Sequence, residues 1–327
     1  MLNKKSDLAF LPTPLHKLKN LSKKYFDYQL YIKRDDLTGL ASGGNKTRKL
    51  EYLLYDAIEQ NCDCVITAGA QQSNHCRQTA AACASAGLEC HLLLGGEVPE
   101  VFDGNLYLSK IAGAKIQYAG DNRKGEDIHS LKDKLIKEGK KPYVIPYGGS
   151  NLRGALGFVN AIIELKQQID EAGIAFDYIF FASSSGGTQA GMYLGKLLTG
   201  LQSEFMPVFI DKEESEEDLR DLIYELIQDG RKLLHIEKNI QKNDLRIIRG
   251  YDNAGYGVIT DNERIAVKLA GKSEGIILDP VYTGRAFYGM LDYLEKELIP
   301  KGSNVLFWHT GGFPANFYFA EEMFKNK

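Results

Sequence analysis

The amino-acid sequence predicts an α/β fold in which parallel β-sheets are covered by helices on both faces. The first indication is the alternation of short β-rich runs with helical patterns along the chain. The second is a set of loops, rich in small residues, that follow several of these runs and lead into helices. The third is the length of 327 residues, which favours two domains over one large domain.

The strand candidates are short apolar runs rich in β-branched and aromatic residues, such as QLYIK at residues 29–33. Buried strands of parallel sheets have this continuous apolar character. In chain order the candidates are residues 29–33, 64–68, 90–94, 115–118, 143–146, 177–182, 206–210, 245–249 and 304–309.

The helix candidates lie between most of these strands. Residues 46–58 illustrate the pattern, because Leu50, Leu53, Leu54 and Ile58 recur on one face of a helix. In chain order the candidates are residues 46–58, 74–86, 126–138, 152–170, 213–228, 260–270 and 284–297.

The composition argues against several classes of protein. A net charge of −3 suggests no nucleic-acid partner, and no apolar run approaches the ~20 residues of a membrane span. The five cysteines lie between residues 62 and 90, and a chain of this size does not need disulfides. We therefore expect a reduced, cytoplasmic protein. Cys62 and Cys64 lack a second pair or a histidine cluster, so we expect buried thiols and no metal site.

Four loops share the same character, since each follows an apolar strand and is rich in Gly, Ser, Thr or Asn. They cover residues 68–74, 148–151, 183–189 and 309–312. Ligands of parallel α/β folds bind outside the carboxyl ends of the strands. The four loops are therefore candidate walls of a single site.

Lys46 is the most informative residue, because Gly43, Gly44 and Asn45 place it at the start of a predicted helix. The helix dipole and free backbone N–H groups favour an anion there and disfavour an ammonium. A lysine amine with a lowered pKa can form a Schiff base. The alternative is an ordinary solvated lysine.

Other loops carry candidate binding groups. The loop 183–189 can turn several backbone N–H groups toward one phosphate, although an ordinary tight turn is the alternative. Ser73 and Asn74 are either plain helix caps or part of a carboxylate site. Tyr256, between two glycines, either packs in the interior or reaches into a cleft.

Taken in order, the motifs resemble the pyridoxal-phosphate-dependent 1-aminocyclopropane-1-carboxylate deaminase/D-cysteine desulfhydrase family. The resemblance extends from Thr13 to Gly312, which is nearly the whole chain. The motifs that carry it are IKRDD at 32–36, GGNKTRKLE at 43–51, TAGA at 67–70, QSN at 72–74, YGGSN at 147–151, GTQAG at 187–191, YG at 256–257, SEGI at 273–276 and DPVYTG at 279–284.

This resemblance implies fold type II of the pyridoxal-phosphate enzymes, the fold of the tryptophan synthase β subunit. Pyridoxal 5'-phosphate would lie in a cleft between two α/β domains, and the protein would form a homodimer that acts on a small amino acid. We expect a large cofactor-binding domain made of residues 1–50 plus 160–327 and a small domain made of residues 51–159.

The resemblance also implies roles for individual residues. Lys46 would form the Schiff base with the cofactor, and Asn74 would bind its phenolic oxygen. Ser73, with neighbouring N–H groups, would bind the substrate carboxylate, and Tyr256 and Tyr282 would line the substrate side of the ring. The phosphate would be held by Ser185, Gly186, Gly187 and Thr188, with help from Lys49.

Two positions differ between members of the family. Members that open the cyclopropane ring carry Glu where this chain has Thr283, and tend to carry Leu where it has Thr310, while D-cysteine desulfhydrases carry threonines. A carboxylate keeps the pyridine nitrogen protonated and makes the ring a strong electron sink, which a hydroxyl cannot do.

We therefore expect a lyase that eliminates hydrogen sulfide from D-cysteine, with Thr283 and Thr310 near the cofactor ring. The alternatives are cyclopropane-ring opening to 2-oxobutyrate, elimination from another β-substituted amino acid, and a non-catalytic protein on the same scaffold.

Overall fold

The computed structural model describes residues 2–213 and 215–325, and its strands make up two sheets within these residues. The strands are β1 (Leu15–Lys17), β2 (Gln29–Arg34), β3 (Cys64–Gly69), β4 (Glu89–Leu94), β5 (Lys115–Tyr118), β6 (Pro142–Val144), β7 (Tyr178–Ser183), β8 (Glu204–Phe209) and β9 (Asn304–His309).

The larger sheet has the strand order β1-β2-β9-β7-β8, and the smaller sheet has the order β5-β4-β3-β6. All neighbouring strands run parallel except β1, which pairs antiparallel with β2 at the edge of the larger sheet. The prediction of parallel sheets is confirmed, although the short strand β1 was missed.

The longer helices connect the strands of the two sheets. The helices are α1 (Lys19–Lys24), α2 (Lys46–Glu59), α3 (Asn74–Ala86), α4 (Gly104–Ile111), α5 (Ile128–Lys137), α6 (Leu152–Ala172), α7 (Gly187–Thr199), α8 (Glu216–Leu234), α9 (Asp261–Glu274), α10 (Thr283–Glu295), α11 (Ala315–Tyr318) and α12 (Ala320–Phe324). In the part of the chain that the structure describes, no helix is both long and apolar enough to cross a bilayer.

Both faces of each sheet are covered, as the sequence predicts. Along β7, Ile179 and Phe181 pack into one apolar cluster, whereas Phe180 and Ala182 pack into another on the opposite face. This alternation follows from the two-residue period of a strand. Because both faces are buried, these strands read as continuous apolar runs rather than as alternating ones.

The predicted strand at residues 245–249 is wrong. Only Ile248 forms an isolated bridge, to Val208 of β8, although Leu245 and Ile248 are both buried. The apolar pattern of this segment reports burial against the core and not strand pairing.

Two helices connect the two sheets, because α2 and α6 pack closely against each other. A Cβ atom built on Gly157 of α6 would lie 2.3 Å from the carbonyl oxygen of Arg48 on α2, so the two backbones nearly touch. The expected domain boundaries, after residues 50 and 159, fall inside these helices. Those boundaries remain a prediction.

Candidate active site

A cavity of about 620 Å³, including space open to solvent, lies where the four small-residue loops meet. Every one of the four loops contributes to the wall. The lining residues are Asn45, Lys46, Ser73, Asn74, His75, Tyr147, Gly148, Ala182, Ser183, Ser184, Ser185, Gly186, Thr188, Tyr282 and Thr310.

Lys46 lines this cavity at the first residue of α2. The approach to the helix is tight, since Gly43 has φ +68° and a Cβ atom there would lie 2.0 Å from the carbonyl oxygen of Asp36. Within residues 2–213 and 215–325, the Lys46 amine has no hydrogen bond or ion pair. Burial lowers the pKa of Lys46 to about 8, so a useful fraction of the amine is neutral near physiological pH.

Lys49 lies one turn further along α2, behind the cavity wall. Its ammonium donates to the carbonyl oxygen of Gly148 at 3.0 Å and to the Ser150 hydroxyl at 3.4 Å. Burial, and then the charge of Lys46, lower the pKa of Lys49 well below its ordinary value. A bound anion would relieve the electrostatic cost of both lysines.

The loop before α7 forms a cradle beside Lys49. The Ser150 hydroxyl lies 2.8 Å from the Ser185 hydroxyl and accepts from the Gly187 N–H at 3.2 Å. Gly186 adopts φ +75°, which a residue with a side chain rarely does, and Gly187 is the first residue of α7. The geometry suits an anion at a helix N-terminus. Gly187 is absent from the cavity lining itself, whereas Ser185, Gly186 and Thr188 belong to it.

The N-terminus of α3 forms a second polar wall. The Ser73 hydroxyl caps the helix by accepting from the Cys76 N–H at 3.2 Å. The amide oxygen of Asn74 accepts from Asn105 at 3.0 Å and from Arg77 at 3.3 Å. Since the oxygen of Asn74 is occupied, its amide nitrogen is the group that remains to donate into the cavity.

His75 and Tyr147 also line the cavity, and sequence reasoning missed both. The His75 Nε2 atom lies 2.9 Å from the Thr67 hydroxyl, while its Nδ1 atom is buried with no hydrogen-bond partner among the described residues. Burial, followed by Lys46 and Lys49, lowers the pKa of His75 well below its ordinary value, so the ring is neutral. His75 follows the motif QSN and Tyr147 is the first residue of the motif YGGSN, and this is the signal that could have found them.

Two tyrosines at the cavity form a hydrogen-bonded pair. The hydroxyls of Tyr256 and Tyr282 lie 2.8 Å apart, and only Tyr282 lines the cavity. Burial raises the pKa of Tyr256 to about 12 and raises that of Tyr282 well above its ordinary value. Both hydroxyls are therefore protonated at neutral pH.

Residue types at positions 283 and 310 vary within the family, and in this protein the two threonines lie in different environments. Thr310 lines the cavity, whereas Thr283 is fully buried outside its wall. The Thr283 hydroxyl donates to the Asp279 carboxylate at 2.7 Å and accepts from the Asp279 N–H at 2.8 Å. The contact of either threonine with the cofactor ring remains a prediction.

Among the described residues, those that line the cavity include a lysine but no aspartate or glutamate. A neutralisable amine, a helix N-terminus with nearby hydroxyls and a free amide donor therefore converge on one space. This combination suits a phosphate-bearing carbonyl compound, since the amine can add to the carbonyl while the cradle holds the phosphate.

A profile of the pyridoxal-phosphate-dependent enzyme family matches residues 7–311 of the chain. A protein of Bradyrhizobium diazoefficiens named 1-aminocyclopropane-1-carboxylate deaminase is 38% identical over 322 residues, or 94% of this chain and 94% of that protein. The bifunctional D-cysteine desulfhydrase/1-aminocyclopropane-1-carboxylate deaminase of Arabidopsis thaliana is 39% identical over 321 residues, or 93% of this chain and 77% of that protein.

The chain belongs to the pyridoxal-phosphate-dependent 1-aminocyclopropane-1-carboxylate deaminase/D-cysteine desulfhydrase family. A solved structure described as the ACC deaminase homologue has a TM-score of 0.89 to this protein at 37% identity, covering 98% of this chain and 95% of that one. The fold is therefore type II of the pyridoxal-phosphate enzymes, and the cofactor is pyridoxal 5'-phosphate. The cavity fits this cofactor, because Lys46 supplies the amine and the loop before α7 supplies the phosphate cradle.

Proposed function

We propose that this member of the family catalyses α,β-elimination of a small D-amino acid, with D-cysteine as its substrate. D-cysteine and one water would yield hydrogen sulfide, ammonia and pyruvate. The observation that carries the proposal is the cavity wall, where a threonine hydroxyl, Thr310, is present and no carboxylate lies among the described lining residues. Without a carboxylate to keep it protonated, the pyridine ring is a weaker electron sink, which suits a reaction whose leaving thiolate takes up the electrons.

The residues that would hold the cofactor follow from the cavity. Lys46 would bind its carbonyl carbon, and Asn74 would donate to its phenolic oxygen. Hydroxyls and N–H groups of Ser185, Gly186, Gly187 and Thr188 would hold the phosphate, with the Lys49 charge behind them. Once bound, pyridoxal phosphate accepts electrons from bonds at the substrate Cα.

The substrate carboxylate would lie at the N-terminus of α3, where the Ser73 hydroxyl and the backbone N–H groups favour an anion. This contact would orient the Cα–H bond perpendicular to the cofactor ring. Lys46 Nζ, displaced by the substrate amine, would then take the Cα proton, a task suited to an amine with a pKa of about 8.

The leaving thiolate would receive its proton from the tyrosine pair. Tyr282 lines the cavity, and its hydroxyl is hydrogen-bonded to that of Tyr256, which supplies a second hydroxyl to the pair. Because burial keeps both tyrosines protonated, the pair can act as an acid rather than as a base.

The second candidate is cyclopropane-ring opening, which is favoured by the names of the relatives. The Bradyrhizobium diazoefficiens protein bears the deaminase name alone, and the Arabidopsis thaliana protein bears both names. Elimination from other β-substituted amino acids would use the same groups.

A turnover panel tests the proposal. The holoenzyme is incubated separately with D-cysteine, L-cysteine, 1-aminocyclopropane-1-carboxylate and D-serine, while sulfide, pyruvate and 2-oxobutyrate are measured. We expect sulfide and pyruvate in equal amounts from D-cysteine, and none from the Lys46→Ala variant. Absence of sulfide with D-cysteine would overturn the proposal, and 2-oxobutyrate from the cyclopropane substrate would reverse the ranking of the two candidates.

A further inference from the structure

Arg123 has no role in the site described so far, yet it contacts two of the tyrosines around it. It lies in the loop between β5 and α5, next to the smaller sheet. Its guanidinium carbon is 4.6 Å from the centre of the Tyr256 ring, and its Nη1 donates to the Tyr147 hydroxyl at 3.3 Å. A guanidinium at this distance from a tyrosine ring is attracted to the ring face.

The Arg123 side chain also contacts the segment that follows β8 of the larger sheet. Arg123 Nη2 donates to the Asp211 carboxylate at 3.0 Å and to the Glu213 carboxylate at 2.6 Å. Asp211 and Glu213 follow β8, and the Asp211 side chain is only 3% exposed. The guanidinium therefore joins loops of the two sheets at the point where it lies on Tyr256.

The charges around Tyr256 show what this contact can do. The titratable groups that act on Tyr256 include Tyr282, Arg123, Asp211, Asp279 and Tyr147. Burial and the charges of Asp211 and Asp279 raise the pKa of Tyr256, while the hydrogen bond with Tyr282 and the charge of Arg123 lower it. The cation thus opposes the effect of burial, and its planar side chain restricts the position of the ring.

We propose that Arg123 is a positioning residue, which holds the Tyr256–Tyr282 hydroxyl pair toward the substrate and keeps that pair able to release a proton. The inference rests on the role proposed above for the tyrosine pair. A lysine at this position could not replace the guanidinium, because one ammonium cannot lie on Tyr256 while donating to Tyr147 and both carboxylates.

The first test follows the acidity of the tyrosine directly and needs no turnover. A fluorinated tyrosine analogue, which is more acidic than tyrosine, is placed at position 256 of the holoenzyme, and its ionisation is followed by fluorine NMR. We expect Arg123→Gln to raise the titration midpoint by about one pH unit or more, since it removes the cation and leaves two carboxylates nearby. Arg123→Lys should leave the titration midpoint close to that of the parent protein, because it keeps the positive charge.

The second test uses turnover of the best substrate from the panel. Arg123→Gln should reduce kcat about 10- to 100-fold with a smaller change in KM, because the substrate carboxylate is bound at the N-terminus of α3 and the tyrosine pair acts in the proton transfer. Arg123→Lys should lower kcat as well, and it covers the case in which Arg123→Gln does not fold. Arg153→Gln is the matched control, since Arg153 is partly exposed and lies 3.6 Å from Asp56, apart from the cavity lining.

Two results would overturn the inference. One is a titration midpoint that does not move in Arg123→Gln, and the other is a parental kcat in Arg123→Lys. If no substrate of the panel is turned over, the proposed function fails, but the fluorine titration still decides whether Arg123 controls the tyrosine pair.

Discussion

Lys46 combines burial at a helix start with an amine that has no partner among the described residues. A buried ammonium without a counter-ion is unfavourable, and the resulting pKa of about 8 gives the neutral amine at a lower pH than an ordinary lysine would. The residue is therefore prepared for addition to a carbonyl before any ligand arrives.

The lowered pKa predicts how fast the cofactor-free protein reacts with pyridoxal phosphate. Only the neutral amine adds to the carbonyl, so the rate should rise about tenfold per pH unit below pH 8 and become constant above it. The measurement is the growth of absorbance of the bound cofactor, with Lys46→Ala as the blank. A rate that continues to rise up to pH 10.5, the ordinary lysine value, would contradict this prediction.

The residues that sequence reasoning found and those that it missed differ in kind. Lys46, Ser73 and Asn74 belong to motifs with a local conformation, a helix entrance or a cap, which the sequence records directly. Arg123 acquires its contacts only when loops of two sheets meet, and its neighbours in sequence give no signal of this. The position of Thr283 behind Asp279 likewise depends on the fold of a loop and not on the motif.

Among the secondary-structure elements, helices α2 and α6 pack closely against each other, and this contact connects the two sheets. Gly157 allows the approach, because a Cβ atom there would lie 2.3 Å from the carbonyl oxygen of Arg48 and 2.9 Å from the backbone nitrogen of Lys49. Since α2 begins with Lys46 and carries Lys49, a shift of this helix would move the amine and the charge behind the cradle.

Substitution of this glycine should therefore affect both stability and cofactor binding. We expect Gly157→Ala to lower the free energy of unfolding by about 1–3 kcal/mol, because the added methyl group meets backbone that cannot rotate away. The affinity for pyridoxal phosphate should fall as well, and denaturant unfolding and cofactor titration measure the two effects.

Gly271 provides the matched control for this experiment. It also lies inside a helix, α9, but the nearest atom to a Cβ built there is 3.9 Å away. Gly271→Ala should therefore stabilise the protein by roughly 0.5–1 kcal/mol through helix propensity. Equal effects of the two substitutions would show that helix packing at Gly157 is unimportant.

At the scale of the whole molecule, Glu164 of α6 connects several distant segments. Its carboxylate accepts from Lys33 of β2 at 2.5 Å, from Arg48 of α2 at 2.9 Å and from the Thr13 N–H at 2.9 Å. Burial alone would raise the pKa of Glu164, but Arg48 and Lys33 lower it to about 2. The ionised form is therefore part of the folded state.

This shift predicts how stability depends on acid. The pKa of Glu164 is about 2 in the folded protein and 4.5 ordinarily. The ionised carboxylate therefore contributes fully to the free energy of unfolding above pH 4.5, and this contribution is lost as the pH falls toward 2. Glu164→Gln should cost about 3–5 kcal/mol at neutral pH and should flatten the loss of stability over this acidic range. Denaturant unfolding at several pH values measures both effects.

Glu171 is the control for Glu164, since it lies on the same helix but is exposed and bonded only to Gln167 among the described residues. Glu171→Gln should change the free energy of unfolding by less than about 0.5 kcal/mol. A Glu164→Gln variant that matches this control would contradict a structural role for the buried network.

Most of the architecture could be predicted, because strands buried on both faces and amphipathic helices leave strong patterns in sequence. The exceptions are the strand β1, the segment near Ile248 and several helices outside the predicted ranges, namely α1, α4, α7, α11 and α12. Whether β1 and the segment near Ile248 pair depends on which sheet edge is free and not on local composition. The pairing of distant segments into two sheets came only with the structure. The homodimer and the cytoplasmic location remain predictions of the resemblance and of the cysteine content.

The strand order of the larger sheet has a consequence for biosynthesis. The last strand in sequence, β9, lies between β2 and β7 and pairs with β2 along its full length, from Asn304 to His309. A nascent chain can thus close the smaller sheet, whose strands lie within residues 64–144, long before the larger one. Until residues 304–309 leave the ribosome, β2 has no parallel neighbour, and the larger sheet cannot be completed.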